Sequence, residues 1–297
     1  MDAADRQAPA VAALKKERLQ EKIATLRARV KALETIGVEL AQAPDQQFSL
    51  TDPDSRAMKT RGTGVVGYNV QTAVETQHHL IVTHEVTNVG TDRGQLSRMA
   101  KQARRVLRVE YLTAIADRGY YSGEQILACH QAGIVPLVPK TQTSNAKADG
   151  RFDKAAFVYD PHADEYVCPA GERLIYRFSR EEAGMLMHRY WSSACPGCQL
   201  KPNCTPSDYR RVGRWEHEEE LETMQARLDE APDSMRIRRR TVEHPFGTLK
   251  AWMGATHFLT KGLERVGSEM NLHVLAYNFK RVINLIGSAA LIAAIRA

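Results

Sequence analysis

The pattern of hydrophobic residues predicts a long helix near the start of the chain, between Val11 and Leu40. Aliphatic side chains recur there at alternating steps of four and three residues: Leu19, Ile23, Leu26, Val30 and Leu33, with Leu40 in the same register beyond Gly37. This spacing is typical of a short coiled coil or of an amphipathic helix that packs on a protein body. Because roughly three heptads are few for a coiled coil, we expect the helix to pack on the chain's own body.

The next part of the chain alternates between strand-like and helix-like patterns. Apolar and polar residues alternate with a period of two at residues 48–51 and in a predicted hairpin at 64–89. Helical spacing predicts helices at 94–107 and 122–131. Short apolar runs predict strands at 111–116 and 134–138. The predicted order is therefore strand, strand, strand, helix, strand, helix, strand. This is the order of an α/β, ribonuclease-H-like fold, in which a mixed sheet carries helices on both faces.

The residue composition and the hydrophobic spacing change twice more along the chain, and these changes predict the domain organisation. A polar linker at Ser144–Gly150 leads into a segment with clustered cysteines that extends to about Pro232, and a last long helix is predicted at about Leu263–Ile286. We expect a helical arm or linker at 1–45, the first part of the α/β core at 46–140, a cysteine-containing insertion at 141–232, and the helical C-terminal part of the core at 233–297.

Composition and charge narrow the class of protein. The 297 residues are 43% hydrophobic and 26% charged, which is ordinary for a globular protein. No apolar run reaches the length of a membrane span, and the first residues contain no signal-peptide apolar region. We therefore expect a cytoplasmic protein without a membrane partner. Its net charge of +6 and isoelectric point near 9.1 favour a polyanionic partner.

Acidic residues follow two of the predicted strands. Asp52 comes directly after residues 48–51 and before Pro53, and Asp54 follows that proline. Asp117 comes after the strand at 111–116. Strand ends often display metal ligands in α/β sheets, but aspartate is also a common turn residue. The residues alone favour a turn at Asp52 and leave both interpretations of Asp117 open.

A basic stretch from Met235 to Gly254 contains a further carboxylate between two cations. In a continuous α-helix, Glu243 lies about 40° and Lys250 about 20° round the axis from Arg239. A carboxylate on such a stripe can ligate a hard metal ion while the cations hold phosphate oxygens. Spacing alone favours a solvated helix face. Pro245 is expected to kink or loosen the helix just past Glu243.

Four of the five cysteines lie within the predicted insertion: Cys168, Cys195, Cys198 and Cys204. A CxxC pair with two flanking cysteines predicts a tetrahedral thiolate site for Zn²⁺. The outer spacings match no common zinc finger, so buried thiols are an equal alternative. Cys129 lies apart, on the helix after Asp117, and is expected in the core.

Several motifs occur in a fixed order along the chain. They are TDPDSRAMKT, GTGVVGYNVQTAV, IADRGYYS, the CPAGE and CPGC blocks, RRRTVEHPFGTLK and HVLAYNFKR. In this combination the chain from Phe48 to Ile286 resembles bacterial insertion-sequence transposases of the DDE class. It resembles the branch whose third acid lies in a Tyr-x2-Arg-x3-Glu-x6-Lys box, although the Tyr position is Arg236 here.

The resemblance implies a catalytic core that cuts DNA at element ends and joins the freed 3′-OH to target DNA. It implies that Asp52, Asp117 and Glu243 hold two Mg²⁺ or Mn²⁺ ions, which activate water and then the 3′-OH. Asp54 is the alternative first acid. The expected DNA contacts are Arg239 and Lys250, which correspond to the box's Arg and Lys, together with Arg236 and Arg118.

The same resemblance implies partners and rivals. Transposases of this kind assemble as homo-oligomers on DNA. We therefore expect this chain to form a homo-oligomer on DNA and to be associated with the bacterial nucleoid. The family also carries an upstream DNA-recognition region, so we expect this chain to be the catalytic portion of a longer enzyme. Two alternatives remain: a ribonuclease-H-like nuclease that cuts without strand transfer, and an inactive, truncated DNA-binding remnant.

Overall fold

The computed structural model describes residues 9–43, 45–59, 64–141, 146 and 148–296. The chain divides into two compact units. The first unit comprises Met1–Val70, Val86–Gly90 and His257–Asn271, and the second comprises Gln71–Glu85, Thr91–Thr256 and Leu272–Ala297. The sequence-based domain boundaries differ from this division and stay a prediction.

Helix α1 (Pro9–Gln42) is the longest element of the first unit and confirms the predicted N-terminal helix. The expectation that it packs on the chain's own body is wrong. From residue 13 onwards none of its side chains is buried, and Leu26, Val30 and Leu33 of the apolar stripe are exposed. The heptad spacing therefore predicted the helix correctly but not the surface that it faces.

The predicted strand at residues 48–51 is absent from the described structure. The first strand, β1 (Arg56–Lys59), begins after both aspartates and pairs antiparallel with β2 (Gly64–Gly67). Local side-chain hydrogen bonds replace the predicted ladder, because Ser49 Oγ accepts from the backbone N–H of Asp52 at 3.3 Å. Such bonds offer the backbone an alternative to sheet pairing. The turn interpretation of Asp52 is confirmed.

A hairpin and a parallel strand pair follow. β3 (Asn69–Val74) pairs with β4 (Ile81–Thr87), so the hairpin is shorter than predicted because β2 pairs with β1. Helix α2 (Leu96–Leu107) leads to β5 (Leu112–Ile115), which is connected by α3 (Gly123–Gln131) to the parallel strand β6 (Ile134–Leu137). A helical crossover is the usual connection between parallel strands.

The core of this α/β part is built from the inward faces of the helices and the β6 strand. Its buried members are Leu96, Ala100, Ala116, Ile126, Cys129, Ile134, Val138 and Met224. Cys129 is completely buried, as predicted. An α/β fold is therefore present. The described strands lie in three two-stranded sheets and one five-stranded sheet, and a single ribonuclease-H-like mixed sheet stays a prediction.

The cysteine-containing segment forms an antiparallel sheet that the sequence did not predict. Its five strands follow one another in space in chain order: β7 (Val158–Asp160), β8 (Glu165–Val167), β9 (Arg173–Glu182), β10 (Met185–Trp191) and β11 (Val212–Trp215). One side packs around Phe157, Tyr166, Leu174, Tyr190 and Val212. Aromatic side chains bury large areas, so this small sheet has a core of its own.

The rest of the chain is helical. Helix α4 (Glu218–Glu230) precedes α5 (Ser234–Gly247), which continues into a π-helical turn at Thr248–Trp252. Helix α6 (Leu263–Ile286) has the predicted bounds, and α7 (Ser288–Arg296) ends the described chain. None of the described helices is by itself long and apolar enough to span a membrane; α6 and α7 reach that composition only as a pair bent by 111°.

One buried carboxylate joins three parts of the second unit. Glu218, at the start of α4, accepts hydrogen bonds from Lys154 Nζ at 2.6 Å and from the backbone N–H of Trp215 at 3.2 Å. Lys140 Nζ, just after β6, lies 3.9 Å from the same carboxylate. Burial is the largest single influence and raises the pKa of Glu218, but Lys154, the Trp215 N–H and Lys140 together outweigh it and hold that pKa below its ordinary value.

We predict that Glu218→Gln lowers the free energy of unfolding by about 2 kcal/mol at pH 7, because it removes the charge-assisted hydrogen bond between the half-exposed Lys154 and a buried carboxylate. A carboxylate whose pKa is depressed by folding contributes its stability above the ordinary pKa of 4.5 and loses it as pH falls through the folded-state value. Urea unfolding of both proteins should therefore converge as pH falls below 4.5. Glu219→Gln, an exposed neighbour on the same helix, should behave as wild type at both pH values. An equal loss in the two variants would contradict this role.

Candidate active site

Asp117 occupies the position after β5 and is held by its own turn. Its Oδ1 accepts the backbone N–H of Gly119 at 2.8 Å and caps the short helical turn Arg118–Tyr120. A Cβ atom on residue 119 would lie 2.9 Å from that oxygen, closer than carbon and oxygen normally approach. Glycine at 119 therefore suits this close approach. The turn interpretation of Asp117 is confirmed, and its role as a metal ligand stays a prediction.

Arg238 on α5 contacts the other carboxylate oxygen of Asp117. Its Nη2 donates to Asp117 Oδ2 at 2.6 Å, across 121 positions of sequence. The two side chains are 27% and 42% exposed, so solvent screens the pair and its contribution to stability is small. The arginine instead fixes a positive charge beside the carboxylate. Sequence analysis singled out Arg236 and Arg239 on this helix and missed Arg238.

A second carboxylate lies beside Asp117 and was also missed. Asp92, in the loop after β4, accepts a hydrogen bond from Gln71 Nε2 at 2.7 Å, and Gln71 accepts one from the Tyr120 hydroxyl at 2.5 Å. A Cβ at Gly119 would lie 3.7 Å from Asp92 Oδ2 as well as 2.9 Å from Asp117. The two acids therefore approach the same glycine. The only sequence signal was Gln71, a polar residue on the inward side of a strand, which is buried in the structure.

The pKa of the Tyr120 hydroxyl reflects the charges of Asp92, Asp117 and Arg238 around it. Burial raises the pKa of its hydroxyl, and the negative charges of Asp92 and Asp117 raise it further, while Arg238 opposes the shift. The phenol therefore stays protonated and donates its hydrogen bond at any physiological pH. Two carboxylates, one guanidinium and a protonated phenol make up the polar cluster at the end of β5.

Glu243 lies on α5 and is exposed to solvent. On an α-helix it lies about 140° round the axis from Arg238, so the two side chains leave α5 on different sides. The predicted stripe of Arg239, Glu243 and Lys250 assumed one continuous α-helix. That assumption is wrong for Lys250, because the π-helical turn from Thr248 to Trp252 has more residues per turn and changes its angle. The kink or loosening expected past Pro245 takes this form.

Asp52 belongs to the first unit, where its carboxylate is engaged by backbone and tyrosine. Both oxygens accept from the Tyr68 hydroxyl, at 2.9 and 2.8 Å, and from the Gly262 N–H, at 3.2 and 3.3 Å. Asp54 Oδ2 accepts the N–H of Leu263 at 2.9 Å. Since Leu263 begins α6, both acids lie at a helix N-terminus, where unsatisfied N–H groups favour negative charge. Burial and the Asp52 carboxylate raise the pKa of Tyr68.

The structure therefore brings Asp117 together with Asp92 and Arg238, and gives Asp52 a helix-capping role within the first unit. Among the residues that the structure describes, no group of three or more His, Cys, Asp or Glu side chains has the arrangement of a metal site. The Asp52, Asp117 and Glu243 triad stays a prediction. Of the expected DNA contacts, Arg118, Arg236, Arg239 and Lys250 are all exposed, and Arg236 lies 3.0 Å from Asp233 one turn earlier.

The four clustered cysteines line one pocket at the edge of the five-stranded sheet. Tight turns present them: the Gly171 N–H donates to the Cys168 carbonyl at 2.8 Å, and the Cys198 N–H donates to that of Cys195 at 3.3 Å. All four are half-buried free thiols. Burial raises the pKa of the Cys204 thiol, the Arg210 guanidinium opposes this, and the other three sulfurs add to it. The four cysteines thus line one pocket, but the described side chains show no arrangement able to hold a metal ion, and the Zn²⁺ site stays a prediction.

Arg210 lines the same pocket with an unusual environment. Its guanidinium lies 5.0 Å above the Phe157 ring centroid, and its Nη1 donates to the Cys204 carbonyl at 3.5 Å. Its Nε is buried and has no hydrogen-bond partner among the described residues. A buried N–H donor without an acceptor is costly and rare in folded proteins. The four cysteines are among the residues that line the same pocket.

Comparison with known proteins gave one match. Residues 167–283 match the family model described as Transposase DDE domain. The matched segment is less than half of the chain; it contains the four clustered cysteines and Glu243, while Asp52 and Asp117 lie outside it. No curated protein and no solved structure matched the chain. The match supports the resemblance to DDE-class transposases; the insertion-sequence origin and the residue box stay predictions.

Proposed function

We propose that this chain contains the catalytic core of a DDE-class transposase that cleaves DNA at insertion-sequence ends and transfers the freed strand to target DNA. The observation that carries the proposal is the Transposase DDE domain match over residues 167–283. That family implies nuclease or strand-transferase chemistry on a DNA substrate. The net charge of +6 suits the same substrate.

The proposed reacting centre includes Asp117 and Glu243, with Asp52 as the third acid and Asp92 as an additional carboxylate. Carboxylate oxygens are the ligands that Mg²⁺ and Mn²⁺ prefer, so the residue types fit divalent cations even though the described side chains form no complete metal site. When bound, such ions activate the attacking oxygen and stabilise the departing one. In the geometry described, Arg238 neutralises Asp117, and its guanidinium is a suitable partner for a DNA phosphate once a cation takes over the carboxylate.

We predict that Asp117→Asn and Glu243→Gln each lower end cleavage and strand transfer by at least about 10³-fold, because a neutral amide cannot replace a carboxylate ligand. Binding to end DNA and thermal unfolding should stay near wild type. The measurement is cleavage and joining of a labelled end duplex in Mg²⁺ and in Mn²⁺. Asp92→Asn and Asp52→Asn in the same assay show whether these acids belong to the centre.

Two results would change the proposal. Near-normal cleavage by the Asp117→Asn or the Glu243→Gln variant would show that the substituted carboxylate does not belong to the reacting centre. Cleavage without any strand transfer by the wild-type chain would favour a ribonuclease-H-like nuclease, and DNA binding without cleavage would favour an inactive remnant. Asp229→Asn on α4, at an exposed carboxylate that accepts a hydrogen bond from Gln225 Nε2 at 2.8 Å, is the control for a surface acid and should not affect any readout.

The proposed DNA surface includes Arg239 and Lys250, with Arg236 and Arg118. Arg239→Ala and Lys250→Ala should each weaken end-DNA binding and reduce the slope of log affinity against log salt by about 1, because each loses one phosphate contact. Fluorescence anisotropy at several salt concentrations measures both quantities. Arg240→Ala is the matched control, since it is an exposed arginine next to Arg239 but about 100° round the helix. Equal slopes in all three variants would make Arg239 and Lys250 ordinary surface residues.

We also propose that the cysteine pocket holds one structural Zn²⁺. The donor chemistry fits: four thiols line one pocket, and the buried Arg210 Nε can donate to a thiolate, whose negative charge a guanidinium stabilises. Hydrogen bonds from neighbouring residues to metal-bound thiolates are a usual part of such sites. The ion would stabilise the turns that join the insertion's strands.

We predict about one zinc per purified chain by mass spectrometry of metal content, and a cobalt-substituted form with thiolate charge-transfer absorption. Cys198→Ser should abolish both, and Arg210→Gln should keep the site but weaken zinc affinity by about tenfold. Cys129→Ala is the matched control, because that cysteine lies in the α/β core and does not line the pocket. Equal zinc content in the Cys198 and Cys129 variants would refute the site and favour buried thiols.

A further inference from the structure

Helix α1 exposes an apolar stripe that the described residues of its own chain leave uncovered. Leu19, Ile23, Leu26, Val30 and Leu33 are each between 40% and 59% exposed. From residue 13 to residue 42 no side chain of this 34-residue helix is buried. Helices in proteins gain most of their stability by packing an apolar face, and exposed aliphatic side chains in a row are unfavourable in water. The stripe therefore has the properties of an interface.

The residue types along the stripe specify the kind of interface. With Leu19 at a heptad d position, Ile23 and Val30 fall at a, and Leu26, Leu33 and Leu40 fall at d. β-branched residues at a with leucine at d favour two parallel strands over trimers and tetramers. Gly37 takes the next a position, and Leu40 beyond it is only half-exposed. The strongest part of the seam thus runs from Leu19 to Leu33.

The charges beside the seam give one attractive and one repulsive pair with a second copy of the same helix. In a parallel pair, a residue at g faces the residue five positions later, at e, on the partner helix. Arg29 at g then faces Glu34 at e of the second copy, a complementary pair that forms twice in a symmetric dimer. Lys22 at g faces Arg27 at e, a like-charge pair. The seam from Leu19 to Leu33 consists of aliphatic side chains, which cannot bind phosphate groups, so DNA does not bind along it.

We propose that α1 of two copies of this chain form a parallel, two-stranded coiled coil along the Leu19–Leu33 seam. The partner is a second copy because the a and d positions are self-complementary in shape and the Arg29 and Glu34 positions are self-complementary in charge. This assembly requires neither DNA nor divalent cations, so it is independent of the proposed catalytic function. It would present two catalytic portions together before any DNA is bound.

The test is the mass of the full-length chain in DNA-free buffer, measured by sedimentation equilibrium across a range of concentrations. Wild type should be a dimer at micromolar concentrations. Leu26→Ala with Leu33→Ala should weaken the dimer by at least about 100-fold, because four leucines leave the interface of each dimer. Alanine is the best helix former, so the loss does not come from helix propensity.

Two further variants make the result specific. Val38→Ala is the matched control: Val38 is 58% exposed, like Leu33 at 59%, but lies off the seam, and its removal should leave the dimer unchanged. Lys22→Glu should tighten the dimer by about fivefold at low salt, because it turns the like-charge pair with Arg27 into an attractive pair in the parallel orientation only. A monomeric wild type, a trimer, a dimer unaffected by the leucine substitutions, or no gain from Lys22→Glu would each overturn the proposal as stated.

Discussion

The second unit depends on keeping one carboxylate charged out of water. Glu218 is 7% exposed, and its charge is tolerated because Lys154 and the Trp215 N–H bond to it. Lys154 comes from the segment before the five-stranded sheet, Trp215 ends that sheet, and Glu218 begins α4. A buried charge that loses its partners is strongly unfavourable, so these segments must stay together. The insertion is thereby fixed to the helix whose Met224 completes the α/β core.

The chemistry of the candidate site depends on a similar pairing at the protein surface. Asp117 is oriented by the Gly119 N–H and paired with Arg238, while Asp92 approaches the same glycine. Two neighbouring carboxylates repel each other unless a cation lies between or beside them. Arg238 supplies that cation in the geometry described, and a divalent ion would compensate the same charge more strongly. This is the physical reason that we connect the cluster with the metal-dependent chemistry of the matched family.

A change in helix type directly follows the basic helix α5. Pro245 lies inside the helix and lacks the N–H that would continue its hydrogen-bond pattern. The chain then forms a π-helical turn from Thr248 to Trp252, and π turns of this kind often occur at functional sites. Arg238 and Glu243 therefore share a regular α-helix, whereas Lys250 has an orientation set by the turn. A stripe drawn on an ideal helix could not include this change.

Local features were determined by the sequence itself. The spacing of apolar residues was enough for α1, α2, α3 and α6, because helix periodicity depends on residues three and four apart. The same holds for the strand that ends before Asp117. The prediction of a strand at residues 48–51 was wrong because four alternating residues are too few to outweigh side-chain hydrogen bonds at Ser49. Only the tertiary structure decided that Asp92 and Arg238 meet Asp117, that Asp52 caps α6, and that the stripe of α1 stays exposed. These contacts join residues 25 to 210 positions apart or depend on a partner surface, and no local pattern encodes which distant surface a side chain will meet.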